Sequence, residues 1–198
     1  LEAAADAAVA YHNTFPVHLA DIYKEISHKD GITFVNEFGD DSQAAGELRR
    51  LPLGPRIPAM ARSLAGPRAA HHCYQVVYKH PHYERPFPWH QDQIHTPSDR
   101  PFFNIWVALS AMTEANGCLR VRPGVGLDEI LPYHPTPYGH SCWPLDDAGQ
   151  AVEMTRGSIL VVTGRTLHMS GPNRTDGLRK AILFVFMEEG AMARREPV

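Results

Sequence analysis

The chain has 198 residues, a formal net charge of −3 and 43% hydrophobic residues, and a chain of that length buries about 70% of its unfolded surface as one domain without covalent staples. This charge balance excludes a protein built chiefly to hold phosphate backbones, so no nucleic-acid partner is expected. The longest apolar runs, such as Ala181 to Met187, fall far short of the ~20 residues that span a bilayer, so no membrane partner is expected either.

Cys73, Cys118 and Cys142 are widely spaced, odd in number and form no Cys-x-x-Cys pair. Neither a disulfide framework nor a zinc knuckle follows, and a reducing, cytoplasmic setting is expected. The Ala-rich opening carries acids rather than a basic stretch, so it does not read as a signal peptide, and a start at Leu1 reads as trimmed or processed.

In chain order, Leu1 to Tyr11 favours helix by its alanines, and Val17 to His28 has Leu19, Ile22, Tyr23 and Ile26 at helical spacing. His28-Lys29-Asp30-Gly31 reads as the end of that helix, with cations in the last turn and Gly31 as the stop. Gly31 to Phe38 suits a short strand, Asp40 to Arg50 a polar loop or short helix, and Ala59 to Ala65 a short helix among prolines and glycines. Residues 1–68 are therefore expected to be a mostly helical front and loops.

Beyond Arg68 the apolar period becomes two. Cys73 to Lys79, Phe102 to Leu109, Cys118 to Val121, Ala151 to Met154, Ser158 to Thr163 and Arg179 to Met187 read as strands, joined by Gly/Pro turns such as Asn116-Gly117. Leu127 to Gln150 carries many prolines and glycines and reads as a long irregular loop, of a kind uncommon unless functional. The expected fold is mainly β, a double-stranded β-helix (jelly-roll, cupin-like) core over residues 69–190 with N-terminal helices packed outside. One domain over residues 1–198 is expected.

The stretch Pro88-Trp89-His90-Gln91-Asp92 is the chemical centre. On a strand, His90 and Asp92 would project to one side about 7 Å apart along the backbone. An imidazole and a carboxylate joined by a second histidine make the three-ligand face that suits iron(II) and leaves three positions open. Yet 12 histidines make His-x-Asp a pattern that chance supplies, and His28-Lys29-Asp30 repeats it. A glutamate version, His82-Tyr83-Glu84, lies among prolines that place it in a loop or at a sheet edge. His168, on a late strand after Ser158 to Gly164, is the second histidine candidate. Arg179 heads an otherwise apolar strand face, where a charge is expensive unless paired and a guanidinium is suited to gripping a carboxylate by two hydrogen bonds.

Together Pro88-Trp89-His90-Gln91-Asp92, Ile105-Trp106-Val107-Ala108-Leu109, Asn116-Gly117-Cys118-Leu119, Pro123-Gly124, Gly157-Ser158, His168-Met169-Ser170-Gly171-Pro172-Asn173 and Arg179 resemble the phytanoyl-CoA dioxygenase family of iron(II)- and 2-oxoglutarate-dependent oxygenases. The resemblance covers Cys73 to Met187. It implies that His90, Asp92 and His168 bind Fe(II), that Arg179 with Ser170 binds the distal carboxylate of 2-oxoglutarate, that Trp106 flanks this co-substrate and that Gln75 touches it. It departs from the family at Pro123-Gly124-Val125-Gly126, where Pro-Gly-Ser-His is usual.

The implied reaction uses O2 and 2-oxoglutarate, with ascorbate as an auxiliary reductant, releases succinate and CO2, and oxidises a C–H bond of a small organic molecule such as a specialised metabolite. Related halogenases replace the carboxylate ligand with a small residue, so an intact Asp92 favours hydroxylation, or desaturation, epoxidation or ring formation. Tyr83, Phe87, His95, Tyr133, Tyr138 and Trp143 stand in variable stretches as substrate-contact candidates. A zinc hydrolase and a non-catalytic jelly-roll binding module are the competing readings.

Overall fold

The β-branched and aromatic residues beyond position 68 form two facing antiparallel sheets. A computed structural model describes residues 2–3, 5–6, 26–29, 31–38, 55–96, 98–136, 139–142 and 148–191, with the backbone alone for 26–29 and 33–38. The larger sheet contains β1 (Ile26–Lys29), β2 (Ile32–Phe38), β3 (Ala69–Lys79), β5 (Phe102–Ala108), β10 (Ile159–Thr163) and β12 (Arg179–Glu188), in the order β1-β2-β3-β12-β5-β10. The smaller contains β4 (Phe87–His90), β6 (Leu119–Val121), β9 (Gln150–Val152) and β11 (His168–Ser170), in the order β4-β11-β6-β9. This is the expected jelly-roll.

β12 is central and buried on both sides. Its outward Ile182, Phe184 and Phe186 join Tyr74, Val76 and Tyr78 of β3 beneath α1 (Arg56–Ala65). Its inward Ala181 and Leu183 join Val77, Trp106, Cys118, Leu119 and Met154 between the sheets. Each such side chain withdrawn from water contributes roughly 1.5–3 kcal/mol, so the middle strands anchor the site residues they carry. The helix begins three residues before the expected Ala59, because Pro58 falls in its first turn, where a missing N–H costs nothing. Among the described residues no helix is long and apolar enough to cross a membrane.

Residues 2, 3, 5 and 6 are helical. They dock on the outer face, with Ala5 fully buried and Asp6 accepting from Tyr78 Oη at 2.7 Å and Lys180 Nζ at 2.9 Å. The rest of the described front carries the expected strand, β2, and the expected short helix, α1, and departs from expectation at one place. Ile26–Lys29 is a strand, not the end of a helix, and it pairs with β2 so that Lys29 faces Ile32. Gly31, just before β2, has φ +95°, and Asp-Gly in the sequence is a stronger signal for a turn between strands than the cations that suggested a helix terminus. Asp40 to Arg50 lies outside the described residues.

Leu127 to Gln150 is also more regular than expected. It contains a two-stranded hairpin of β7 (Tyr133–Thr136) and β8 (Gly139–Cys142). A proline is tolerated at position 135 because a two-stranded ribbon has only edge strands.

The central stretch differs from a continuous strand. β4 stops at His90, Gln91 is extended (φ −112°, ψ 129°), and Asp92 opens the single-turn helix α2 (Asp92–His95). One extended residue between them still sends His90 and Asp92 to the same side. Gln91 points the other way and is fully buried. Its Nε2 donates toward Gly126 O at 2.8 Å, Glu129 O at 3.0 Å and Arg165 O at 2.9 Å, and its Oε1 accepts from Leu131 N at 2.8 Å. A Cβ on Gly126, where φ is +70°, would lie 2.7 Å from that amide nitrogen. The departure from Pro-Gly-Ser-His therefore makes room for the clamp.

Gln91→Ala strands several buried backbone groups at once, so it should cost about 2–3 kcal/mol of stability in urea unfolding. A loss below about 0.5 kcal/mol, the range of ordinary surface changes, would show that the clamp carries no weight.

Candidate metal centre

The antiparallel pairing of β4 with β11 puts His90 directly opposite His168, both on the inner face of the smaller sheet. Their ring centroids are 4.2 Å apart. His90 Nδ1 lies 2.8 Å from Pro88 O, and His168 Nδ1 lies 2.8 Å from Thr166 O. A carbonyl only accepts, so each Nδ1 carries the proton and each Nε2 keeps its lone pair. Both Nε2 atoms turn toward Asp92, whose Oδ1 is 3.3 Å from that of His90 and 3.7 Å from that of His168.

Ligand atoms of His90, Asp92 and His168 all lie within 4.8 Å of one another, and among the described residues no other group of three or more His, Cys, Asp or Glu side chains meets that criterion. Burial works against charge on Asp92, but the imidazoles of His168, His90 and His95 outweigh it and hold the carboxyl well below the usual carboxylate range. Burial, reinforced by His90, lowers the His168 pKa and keeps that ring neutral with its lone pair available. Two imidazoles and one carboxylate fit iron(II). The second carboxylate oxygen, Oδ2, accepts a hydrogen bond from Asn104 Nδ2 on the facing sheet.

A second polar zone lies in the same interior. Arg179 of β12 pairs with Lys79 of β3 in the strand register, and both are buried, at 1% and 0% exposure. Arg179 Nε and Nη1 have no hydrogen-bond partner among the described residues. Burial pulls its guanidinium down to about 10, which leaves it charged at neutral pH. Trp106, one face of whose ring lies 5.9 Å from Arg179 Cζ, is buried with its Nε1 also unpartnered among the described residues. Ser170 is buried on β11, two positions beyond His168 and on the same side, so about 7 Å along the strand. Lys79 Nζ donates to Ser170 Oγ at 2.7 Å. Gln75 is half-buried on β3, opposite Leu183 of β12 and on the inward-facing side.

The expected substrate contacts divide. Phe87 packs edge-on to His90 at 4.7 Å, and His95 does so at 5.7 Å. His140 of β8 meets His95 with ring centroids 5.2 Å apart, and Tyr133, 48% exposed, stands edge-on to His140 at 5.1 Å. His95, His140 and Tyr133 thus form a chain of ring contacts running out from His90, while Phe87, beside His90, also packs against the inner core. Tyr83 instead belongs to the inner core, packed against Gly31 and bridged to Asn173. Tyr138 and Trp143 lie outside the described residues. Of the rival His28-Lys29-Asp30, His28 and Lys29 fall on β1 at the edge of the larger sheet and Asp30 lies outside the described residues, while His82 is exposed and paired with Asp176 at 2.9 Å.

Gln91, Asn104 and Lys79 were missed in the sequence. Asn104 had a signal, since it shares the inward parity of Trp106 within an otherwise apolar run. Lys79 had a weaker one, the parity of Gln75 and Val77. Gln91 had none, because its partners at 126, 129, 131 and 165 are remote.

The chain matches the phytanoyl-CoA dioxygenase (PhyH) family across residues 7–181. It is 37% identical over 107 residues to a probable phytanoyl-CoA dioxygenase of Caenorhabditis elegans, covering 48% of this chain and 34% of that one. It is 29% identical over 167 residues to the human peroxisomal phytanoyl-CoA dioxygenase, covering 76% and 48%. The chain thus spans half or less of the length of these curated relatives. Its fold superposes with a TM-score of 0.72, at 23% identity and covering 99% of this chain and 78% of the other, on the epimerase SnoN solved in complex with Fe3+, alpha-ketoglutarate and nogalamycin RO. With the family match extending from the helical front through the metal-ligand stretch to the last strand, the chain belongs to the phytanoyl-CoA dioxygenase family.

Proposed function

We propose that this chain acts as one iron(II)- and 2-oxoglutarate-dependent oxygenase domain that hydroxylates a C–H bond of a small organic molecule. The observation that carries this reading is the buried Arg179, whose Nε and Nη1 are unpartnered among the described residues, in the same interior as His90, Asp92 and His168. A zinc hydrolase would give that guanidinium no task. A dicarboxylic co-substrate would, because it presents a carboxylate to the cation while its other end reaches the metal.

When bound, iron(II) and 2-oxoglutarate supply an O2-derived oxidant strong enough for C–H bonds, with succinate and CO2 as by-products. The protein's part is placement and exclusion of water. His90, Asp92 and His168 would hold the iron on one side, with their orientation fixed by Pro88 O, Thr166 O and Asn104. Arg179 and Ser170 would grip the distal carboxylate, Trp106 would wall it, and Gln75 would border it. Phe87, His95 and Tyr133 would meet the substrate. Their aromatic and imidazole surfaces suit a moderately sized molecule with polar groups, such as a specialised metabolite.

Purified protein supplied with iron(II), ascorbate, 2-oxoglutarate and O2 should release succinate, and Asp92→Ala should abolish both iron retention and succinate. Zinc retained without succinate would establish the hydrolase, and no metal retained the binding module. Asn104→Ala leaves one Asp92 oxygen without its donor and should weaken iron binding roughly 10- to 100-fold; unchanged affinity in a metal titration would remove Asn104 from the centre.

Arg179→Met separates stability from binding. It removes a desolvated, unpaired charge, so the melting temperature of the metal-free chain should hold or rise. Losing a charge-assisted hydrogen bond of about 1.5–3 kcal/mol should weaken 2-oxoglutarate roughly 10- to 100-fold. Undiminished 2-oxoglutarate affinity would sink the co-substrate assignment.

A further inference from the structure

Lys79 is a buried lysine for which the iron and co-substrate reading provides no role. Its Nζ faces three oxygens of one dipeptide: Ser170 Oγ at 2.7 Å, Ser170 O at 3.4 Å, and Gly171 O. As an ammonium it has three protons and no lone pair, so it would satisfy all three and accept from none. Its stem is accommodated by Gly117, where a Cβ would lie 3.0 Å from Lys79 Cδ and 2.3 Å from Gly171 O at a φ of +81°. The side chain thus crosses from the larger sheet to the smaller through a gap left by a glycine. It arrives next to Arg179, its register partner. Two neighbouring buried cations, with no carboxylate paired to either among the described residues, are a costly arrangement for folding alone.

The geometry points to a positioning role: we infer that Lys79, held as an ammonium by the three oxygens around it, fixes the polarity of Ser170, turning its hydroxyl into a dedicated proton donor for the anionic end of the co-substrate. This rests on the reading of Arg179 and Ser170 as the distal-carboxylate grip. A free serine hydroxyl rotates and can either donate or accept. With Nζ donating to Oγ, the oxygen's accepting role is occupied on the lysine side, and the hydroxyl proton must point elsewhere. The pocket that Ser170 shares with Arg179 is then lined by donors only. Such a pocket takes a carboxylate, whose oxygens only accept, and rejects an amide, whose NH2 needs an acceptor. Lys79 makes no contact with the co-substrate itself and acts through Ser170.

The test is a double-mutant cycle on 2-oxoglutarate binding to the anaerobic iron(II)-loaded chain, read from the charge-transfer absorbance of the complex. The thermal shift that 2-oxoglutarate produces in the metal-free chain provides a second readout. Lys79→Met should weaken binding about tenfold in the natural background and leave Ser170→Ala unaffected, because the lysine works only through that hydroxyl. No loss in the natural background, or an equal loss in both, would overturn the inference, the latter by exposing a purely structural role. Should Lys79→Met fail to fold, the natural chain and Ser170→Ala are compared for 2-oxoglutarate against 2-oxoglutaramate, its distal amide. The preference for the carboxylate should fall about tenfold in Ser170→Ala, and an unchanged preference would overturn donor polarity. Arg179→Met separates the two levels. If it leaves 2-oxoglutarate affinity intact, the co-substrate reading itself fails; if it lowers affinity while Lys79→Met does not, this inference alone fails.

Discussion

The candidate centre depends on one antiparallel pairing, that of β4 with β11, which sets His90 against His168 although 78 positions separate them in the chain. Neither strand has the length to be stable by itself, at four and three residues. What holds them is the layer behind, where Leu119 of the smaller sheet, together with Cys118 and Met154, packs on Leu183, Trp106 and Val77 of the larger. The core thus supplies the cohesion, and the short strands convert it into a fixed distance between two imidazoles. A metal bound there would meet ligands already oriented by backbone carbonyls.

Charge is distributed along the interior in two zones. At one end an ionised carboxylate sits among imidazoles, and at the other two cations sit among apolar walls. Burial depresses both cations, and in Lys79 the charge of Arg179 adds to that effect, driving its pKa well below the ordinary lysine value. Since apolar residues of similar size would pack the same space at lower cost, the cationic zone is best understood as built for an anion. The zone of His90, Asp92 and His168 and the zone of Arg179 and Lys79 are joined by β11, which carries His168 at its start and Ser170, beside Lys79, at its end.

Parity made much of this legible. From Arg68 onward the alternation of inward and outward residues identified the main strands, and it placed His90 with Asp92 and Arg179 at the head of an apolar face. It failed where a different local signal competed. Ile26 carried both a helical spacing with Leu19, Ile22 and Tyr23 and a place in a strand, and only the Asp30-Gly31 dipeptide distinguished the two. Prolines hid the β7–β8 hairpin, because the rule that excludes them from sheets applies to strands with two neighbours. Gln91 was invisible for a deeper reason: its role is defined by carbonyls brought to it by the fold, and a carbonyl has no residue type.

Gln91 also limits how this site can change. Because the residue between two metal ligands holds residues 126, 129 and 131 by their backbones, that loop is bound to the iron-site turn whatever side chains it bears. Leu127 and Ile130, exposed at 49% and 39%, are free to vary in chemistry while their path stays constant. Changes along residues 126–131 would then exchange exposed side chains on a path of constant shape. The turn that carries His90 and Asp92 thus fixes the course of this loop while leaving its exposed side chains open to change.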